Sequence, residues 1–154
     1  MIALIQRSLK ASVTVEEKTV GAIESGLAVF VGVFKDDTDA ECDYLARKIA
    51  NLRIFKDEND KMNKSVLDVG GSVLAISNFT LCADAKKGTR PSYDGAQRPE
   101  EANRLYERFC VKLRENGVEK VEKGVFGAYM KVSVTNDGPI SIVLDTDKIM
   151  PKQK

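Results

Sequence analysis

The stretch Ala3–Phe34, ALIQRSLKASVTVEEKTVGAIESGLAVFVGVF, decides the fold. Apolar residues alternate at Val13 and Val15 and again at Val20 and Ala22, and polar turns at Glu16–Lys18 and Glu24–Gly26 divide the run. A period of two belongs to strands, whose successive side chains point to opposite faces. Three or four strands are therefore predicted before Phe34. Leu27–Phe34 is apolar on both faces, as expected of a central strand covered on two sides.

Working outward, Thr38-Asp-Ala-Glu41 forms a capping box, and Cys42, Leu45, Ile49 and Leu52 follow at helical spacing. The polar connection Phe55–Gly71 is expected to hold a short strand at Ser65–Val69, and Ser72–Leu81 then continues as a buried strand ending in polar residues. Cys82–Arg98 is a long Gly-, Pro- and Ser-containing loop, a type more often functional than idle. A second helix opens at Pro99 with Glu100 and Glu101, turns Leu105, Tyr106, Phe109 and Leu113 inward, and stops near Gly117. Strands are predicted at Val118–Glu122, Ala128–Thr135 and Ile140–Asp145. The result is one α/β domain of mixed strands and two amphipathic helices over residues 1–147, with a polar, frayed tail at 148–154.

At 154 residues, with 43% hydrophobic and 31% charged content, the chain can bury one substantial core. The apolar run Gly26–Phe34 is about half of what a bilayer crossing needs, and charge comes too early for a signal peptide, so no membrane association and a cytoplasmic location are expected. Cys42, Cys82 and Cys110 are odd in number and lack CxxC spacing, which points to reduced thiols. Histidine is absent, removing the imidazole ligands of zinc and the Ser-His and Cys-His nucleophile pairs. No metal and no cofactor are expected. A net charge of +1 argues against nonspecific coating of nucleic acid and leaves room for a local basic patch.

Two short motifs carry the chemistry. Ser77-Asn78-Phe79-Thr80-Leu81 ends a buried strand, and Asn136-Asp137-Gly138-Pro139-Ile140-Ser141 puts a strong breaker between two strand segments. Together they resemble the paired signatures of the D-aminoacyl-tRNA deacylases, usually Ser-Gln-Phe-Thr-Leu and Asn-x-Gly-Pro-x-Thr. The segments IQRSLKASVTV, YLARKIANLRIF, KMNKSVLDVGG, KKGTRPS and FGAYMKVSVTNDGP resemble that family in the same order, so the likeness covers nearly the whole chain. Asn78 stands where the family usually has Gln and Ser141 where it usually has Thr. Both keep the functional group, but Asn is one methylene shorter.

The resemblance implies a barrel-like, layered fold and an enzyme that hydrolyses the ester joining a D-amino acid, or glycine, to the terminal adenosine of tRNA. It implies a homodimer in which a cis Gly138–Pro139 peptide projects into the pocket of the other subunit. Proline is the practical residue for this, because a cis bond before it lies only about 0.5–1 kcal/mol above trans. The resemblance also assigns catalysis to Ser77, Phe79 and Thr80, substrate contacts to Asn78, Gly138, Pro139 and Met130, and the acceptor end of aminoacylated tRNA to the basic cluster Lys86, Lys87 and Arg90. Arg7 matches a family arginine near the Gly-Pro loop.

Plainer roles compete at each position. Ser77 and Thr80 are also able simply to satisfy backbone groups at a strand end. A nucleophilic Thr80 needs a base that no motif supplies, so the main-chain amides of Phe79 and Thr80 are the better catalysts. The Phe79 side chain is expected in the core. An isolated Met130 is often filler, Arg7 a surface ion pair, and the basic cluster a solvated loop. Two other functions remain: a deacylase editing a mischarged L-amino acid, and a noncatalytic nucleic-acid-binding module on the same fold.

Overall fold

The computed structural model describes residues 1–152. In chain order the elements are β1 (Ile2–Val15), β2 (Lys18–Ile23), β3 (Gly26–Gly32), α1 (Asp39–Ala50), β4 (Phe55–Lys56), β5 (Met62–Lys64) and β6 (Ser72–Ser77). A 3-10 turn (Phe79–Cys82), α2 (Pro99–Glu115), β7 (Val121–Lys123), β8 (Lys131–Asp145) and α3 (Thr146–Ile149) follow. The main sheet runs β2-β1-β3-β6-β7, with β8 on the other edge of β1, and β4 and β5 form a separate ribbon.

β1 organises the sheet. Its first half pairs antiparallel with β3 from Ile2 to Ser8, and its second half pairs with β2 from Ala11 to Val15. The change of partner lets the sheet curl. Gly21 of β2 then comes so close to β7 that a Cβ there would sit 2.5 Å from the Lys123 carbonyl oxygen, and only glycine fits. This near closure gives the barrel-like form and leaves β3 and β6 covered on both faces. Leu27, Val29, Val31, Val73 and Ala75 face α1 and α2, while Ala28, Leu74 and Ile76 meet Ala11, Val13 and Ile23 inside the curl.

Both long helices form as predicted. Thr38 accepts from the Ala40 amide and Glu41 reaches back to the Thr38 amide, completing the capping box, while α2 begins on Pro99 and buries Leu105, Tyr106, Phe109 and Leu113. The three cysteines are free and buried.

Several expectations change: the strand predicted at Ser72–Leu81 ends at Ser77, the one predicted at Val118–Glu122 begins only at Val121, and Leu52 lies beyond the end of α1. Ser65–Val69 is a turn, because Ser65 and Asp68 cap each other: the Ser65 amide donates to the Asp68 carboxylate at 2.8 Å and the Asp68 amide to the Ser65 hydroxyl at 3.2 Å. The short strand lies at Met62–Lys64 instead. The two last predicted strands are one, β8, running unbroken through Gly138–Pro139, and Ala128–Met130 precede it as loop. A third helix, one turn long, occupies Thr146–Ile149, so Lys148 and Ile149 of the expected tail are helical; Gln153 and Lys154 lie outside the described residues.

Candidate active site

β3 and β6 are parallel neighbours, and the space beyond the carboxyl ends of parallel strands is where α/β sheets tend to bind ligands. The last sheet bond runs from the Asn78 amide to the Val31 carbonyl at 2.8 Å, after which the chain tightens into the 3-10 turn. The first amides of a helical turn have no acceptor within it. Those of Phe79 and Thr80 donate to no acceptor among the described residues. The Asn78 side chain, placed to cap the turn, does not do so. Its amide oxygen instead accepts the Thr80 hydroxyl at 2.5 Å. The shorter amide is thus held locally, and the two main-chain N–H groups stay free.

Phe79 lies in the wall of a cavity of about 560 Å³, together with Ser77, Asn78, Met130, Phe30, Ile76, Val132, Phe126, Tyr129 and Gln97, whereas Thr80, next in the turn, is exposed and outside that wall. Met130 is part of the cavity lining, its sulfur so near Gly124 that a Cβ there would be 2.6 Å away. The lining contains no carboxylate, lysine or arginine, and Tyr129 is its one ionisable side chain. Nor does a thiol serve: Cys82, in the same turn, is buried and its thiol is pushed up to about 11, chiefly by burial and next by Asp37. No group of three or more potential metal ligands occurs among the described residues. The wall itself carries one unpartnered backbone donor, the Phe79 amide, with the Thr80 amide next to it in the turn.

The Phe79 side chain is not in the core. It is 58% exposed and meets Tyr93 edge-on, the ring centroids 5.1 Å apart. The strand alternation that would have buried it ends at Ser77, and the 3-10 turn rotates it outward. Lys86, Lys87 and Arg90 are exposed at the tip of a small hairpin closed by Asp84 and Ser92, which exchange both backbone hydrogen bonds at 2.8 Å.

Gly138 and Pro139 are elsewhere. Their peptide is cis, as the resemblance implied, and both residues are exposed on β8, outside the wall of this chain's own cavity. Arg7 is no surface residue: it is 5% exposed, its Nε donates to the Asp137 carbonyl at 3.1 Å and its Nη1 to the Ile54 carbonyl at 2.9 Å. Asn136 fixes the far side of the loop, accepting from the Ile140 amide at 2.8 Å and donating to the Ser141 hydroxyl at 3.0 Å. Ser141 also accepts from Gln6 at 3.2 Å, so this hydroxyl suffices where the family usually has threonine.

Sequence reasoning missed Phe126, Tyr129, Gln97 and Tyr93. The first two flank Gly127, whose φ of +76° bends the loop before Met130, and that glycine was the available signal.

A family profile described as D-Tyr-tRNA(Tyr) deacylase matches residues 4–145. Relatives named D-aminoacyl-tRNA deacylase include those of Koribacter versatilis, 56% identical over 96% of this chain and 99% of its own, and Thermotoga petrophila, 54% identical over 97% and 99%. A solved structure described as c-Myc DNA Unwinding Element Binding Protein superposes with a TM-score of 0.89 at 41% identity, covering 94% of this chain and 98% of its own. Another, described as a probable eukaryotic D-amino acid tRNA deacylase, shares the fold with a TM-score of 0.80 at 17% identity, over 93% and 97%. With profile and relatives alike spanning the strands, the cavity and the Gly-Pro loop, the chain belongs to the D-Tyr-tRNA(Tyr) deacylase family.

Proposed function

We propose that this chain hydrolyses the ester of D-aminoacyl-tRNA, and of glycine carried by the wrong tRNA, releasing free amino acid and tRNA. The observation that carries this reading is a run of two unpartnered amides, Phe79 in the cavity wall and Thr80 beside it, at a cavity whose lining has no side-chain acid or base other than Tyr129. An aminoacyl ester is already activated, so donors aimed at the developing oxyanion and a placed water are sufficient help. A 2′-hydroxyl of the substrate itself can assist the proton transfer. The direct test follows ester loss from D-Tyr-tRNA and L-Tyr-tRNA with purified protein. Cleavage of the D form alone supports the reading; preferred cleavage of an L form would favour an editing deacylase. Cleavage of neither would favour a noncatalytic nucleic-acid binder, a reading suggested by the name of the 41% identical structure.

In this mechanism Thr80 contributes its amide, since its hydroxyl is engaged by Asn78. Thr80→Ala is expected to keep its rate within about tenfold, and a loss of a hundredfold or more with the fold intact would make the hydroxyl catalytic.

The working unit is a two-fold dimer in which Gly138 and Pro139 of each subunit complete the other's cavity and exclude the side chain of an L-amino acid. Supporting this, an apolar row crosses four strands on one face: Ile76 beside Phe30, Phe30 beside Leu4, and Leu4 beside Val143. It leads from the cavity wall to β8, where Val143 is 61% exposed. An isologous contact there would let both loops reach across at once. Val143→Glu should give a monomer in sedimentation with at least tenfold lower activity, because a buried unpaired carboxylate opposes the contact. A fully active monomer would remove the dimer from the mechanism. The basic hairpin with Lys86, Lys87 and Arg90 is assigned to phosphates of the acceptor end, giving affinity without sequence reading. No helix among the described residues is long and apolar enough to cross a membrane, and we place the activity in the cytoplasm, where charged tRNA is used.

A further inference from the structure

Resting on the deacylase reading, we infer that the rim of the cavity is a stacking platform for the unpaired nucleotides that precede the terminal adenosine of the RNA. Three aromatic rings are exposed among the described residues, Phe79 at 58%, Tyr93 at 39% and Tyr129 at 85%. All three stand at one place. Phe79 and Tyr129 line the same cavity, and Tyr93 packs edge-on against Phe79. Exposed rings scattered over a surface would need no account, but gathered at the mouth of a site they are what unpaired bases bind.

The charge around them fits the same occupant. Tyr93 directly follows the hairpin closed by Asp84 and Ser92, whose tip bears Lys86, Lys87 and Arg90. The acidic member of that hairpin, Asp84, is exposed and its carboxylate is engaged locally, accepting the Lys86 amide at 2.9 Å, so cations outnumber it three to one. Aromatic faces flanked by cations are the arrangement that holds a single strand, the rings taking bases of any identity and the cations the phosphates. An aminoacyl ester held in the cavity would bring the nucleotides that precede it close to these rings, since Phe79 and Tyr129 belong to the cavity's lining. The platform is indifferent to sequence, as suits an enzyme acting on many tRNAs that share one 3′ end.

The test separates binding from hydrolysis. A labelled, non-acylated RNA octamer ending in CCA is titrated by anisotropy, intact and with an abasic site at the penultimate position. Wild-type protein should bind the abasic strand more weakly by roughly five- to a hundredfold, the loss of one base-aromatic stack. Tyr93→Leu and Tyr129→Leu should bind the intact octamer more weakly by a similar factor, and at least one of them should no longer register the abasic site. Equal binding by wild type and both variants overturns the platform, as do variants that sediment as monomers while binding the octamer unchanged, which would make the rim a subunit contact. In a second arm, Tyr93→Leu should lose at least fivefold more in kcat/KM on D-Tyr-tRNA than on the D-Tyr ester of adenosine alone. An equal loss on both overturns the platform. If wild type cleaves neither ester, the deacylase reading fails, and the octamer arm still decides the platform.

Discussion

Gly138→Ala is expected to lower D-aminoacyl-tRNA hydrolysis about a hundredfold, the effect of misplacing a pocket group by about an ångström, without raising cleavage of the L-substrate. Gly138 has φ +139°, and a Cβ added there would lie 2.8 Å from Ile140 Cγ1 and 2.9 Å from the Ile140 amide nitrogen. The second contact is with backbone, so the loop itself must move. That nitrogen donates to Asn136 at 2.8 Å, and moving it disturbs the bond that closes the loop. In the proposed dimer the shifted atoms belong to the partner's pocket. The new methyl only adds bulk where an L side chain was already excluded, which is why no L-activity is gained. Gly70→Ala is the control: its φ of +63° makes alanine strained, yet nothing lies within 4 Å of the added Cβ. Both variants should lose stability, about 1–3 kcal/mol by thermal or urea unfolding, and only Gly138→Ala should lose single-turnover rate. A Gly138→Ala enzyme within threefold of wild type on D-Tyr-tRNA would show that this loop does not shape the pocket.

Much of this site is written in local pattern. The run Leu27–Phe34 had to be covered on both faces because it offers no polar side to water, and the structure places α1 and α2 on one face and the curled β1–β2 hairpin on the other. The capping box and Pro99 set the helix starts through bonds made within a few residues. The features that pattern failed to show depend on distant partners. β8 stays one strand through Gly138–Pro139 because β1 accommodates it, with register shifts on either side of Ser8, and neither segment reveals the other's irregularity. Ser65–Val69 is apolar enough for a strand, but two side-chain bonds give its amides a closer solution than a sheet. Phe79 is apolar and follows a buried strand, so hydrophobicity alone put it in the core; its exposure comes from where the 3-10 turn starts. The gathering of Phe79, Tyr93 and Tyr129 was likewise hidden, since a low overall aromatic content says nothing about where the few rings meet.

Arg7→Ala is expected to destabilise the fold by about 3 kcal/mol and to lower activity at least tenfold, because charged donors to buried carbonyls are among the stronger hydrogen bonds and their loss leaves the acceptors unpaired. The guanidinium ties three parts of the chain together: β1, which carries it, the Ile54 carbonyl after α1, and the Asp137 carbonyl one residue before Gly138. The Asp137 carboxylate lies 3.2 Å from the same nitrogen, but its side chain is 43% exposed, so solvent screens that pair. The ordering of variants follows. Asp137→Asn keeps the carbonyl bond and should change stability by less than about 1 kcal/mol. Arg7→Lys keeps the charge but loses the rigid fork that reaches two carbonyls in different directions, and should fall nearer to Arg7→Ala than to wild type. Unfolding midpoints and kcat for the three proteins decide it. If Asp137→Asn proves as damaging as Arg7→Ala, the contact is an ion pair after all. If Arg7→Lys behaves as wild type, one cation suffices and the two-carbonyl clamp is not what sets the loop. The predicted order, with Asp137→Asn mild and both Arg7 variants impaired, makes the backbone beside Gly138 the part that the buried arginine holds in place.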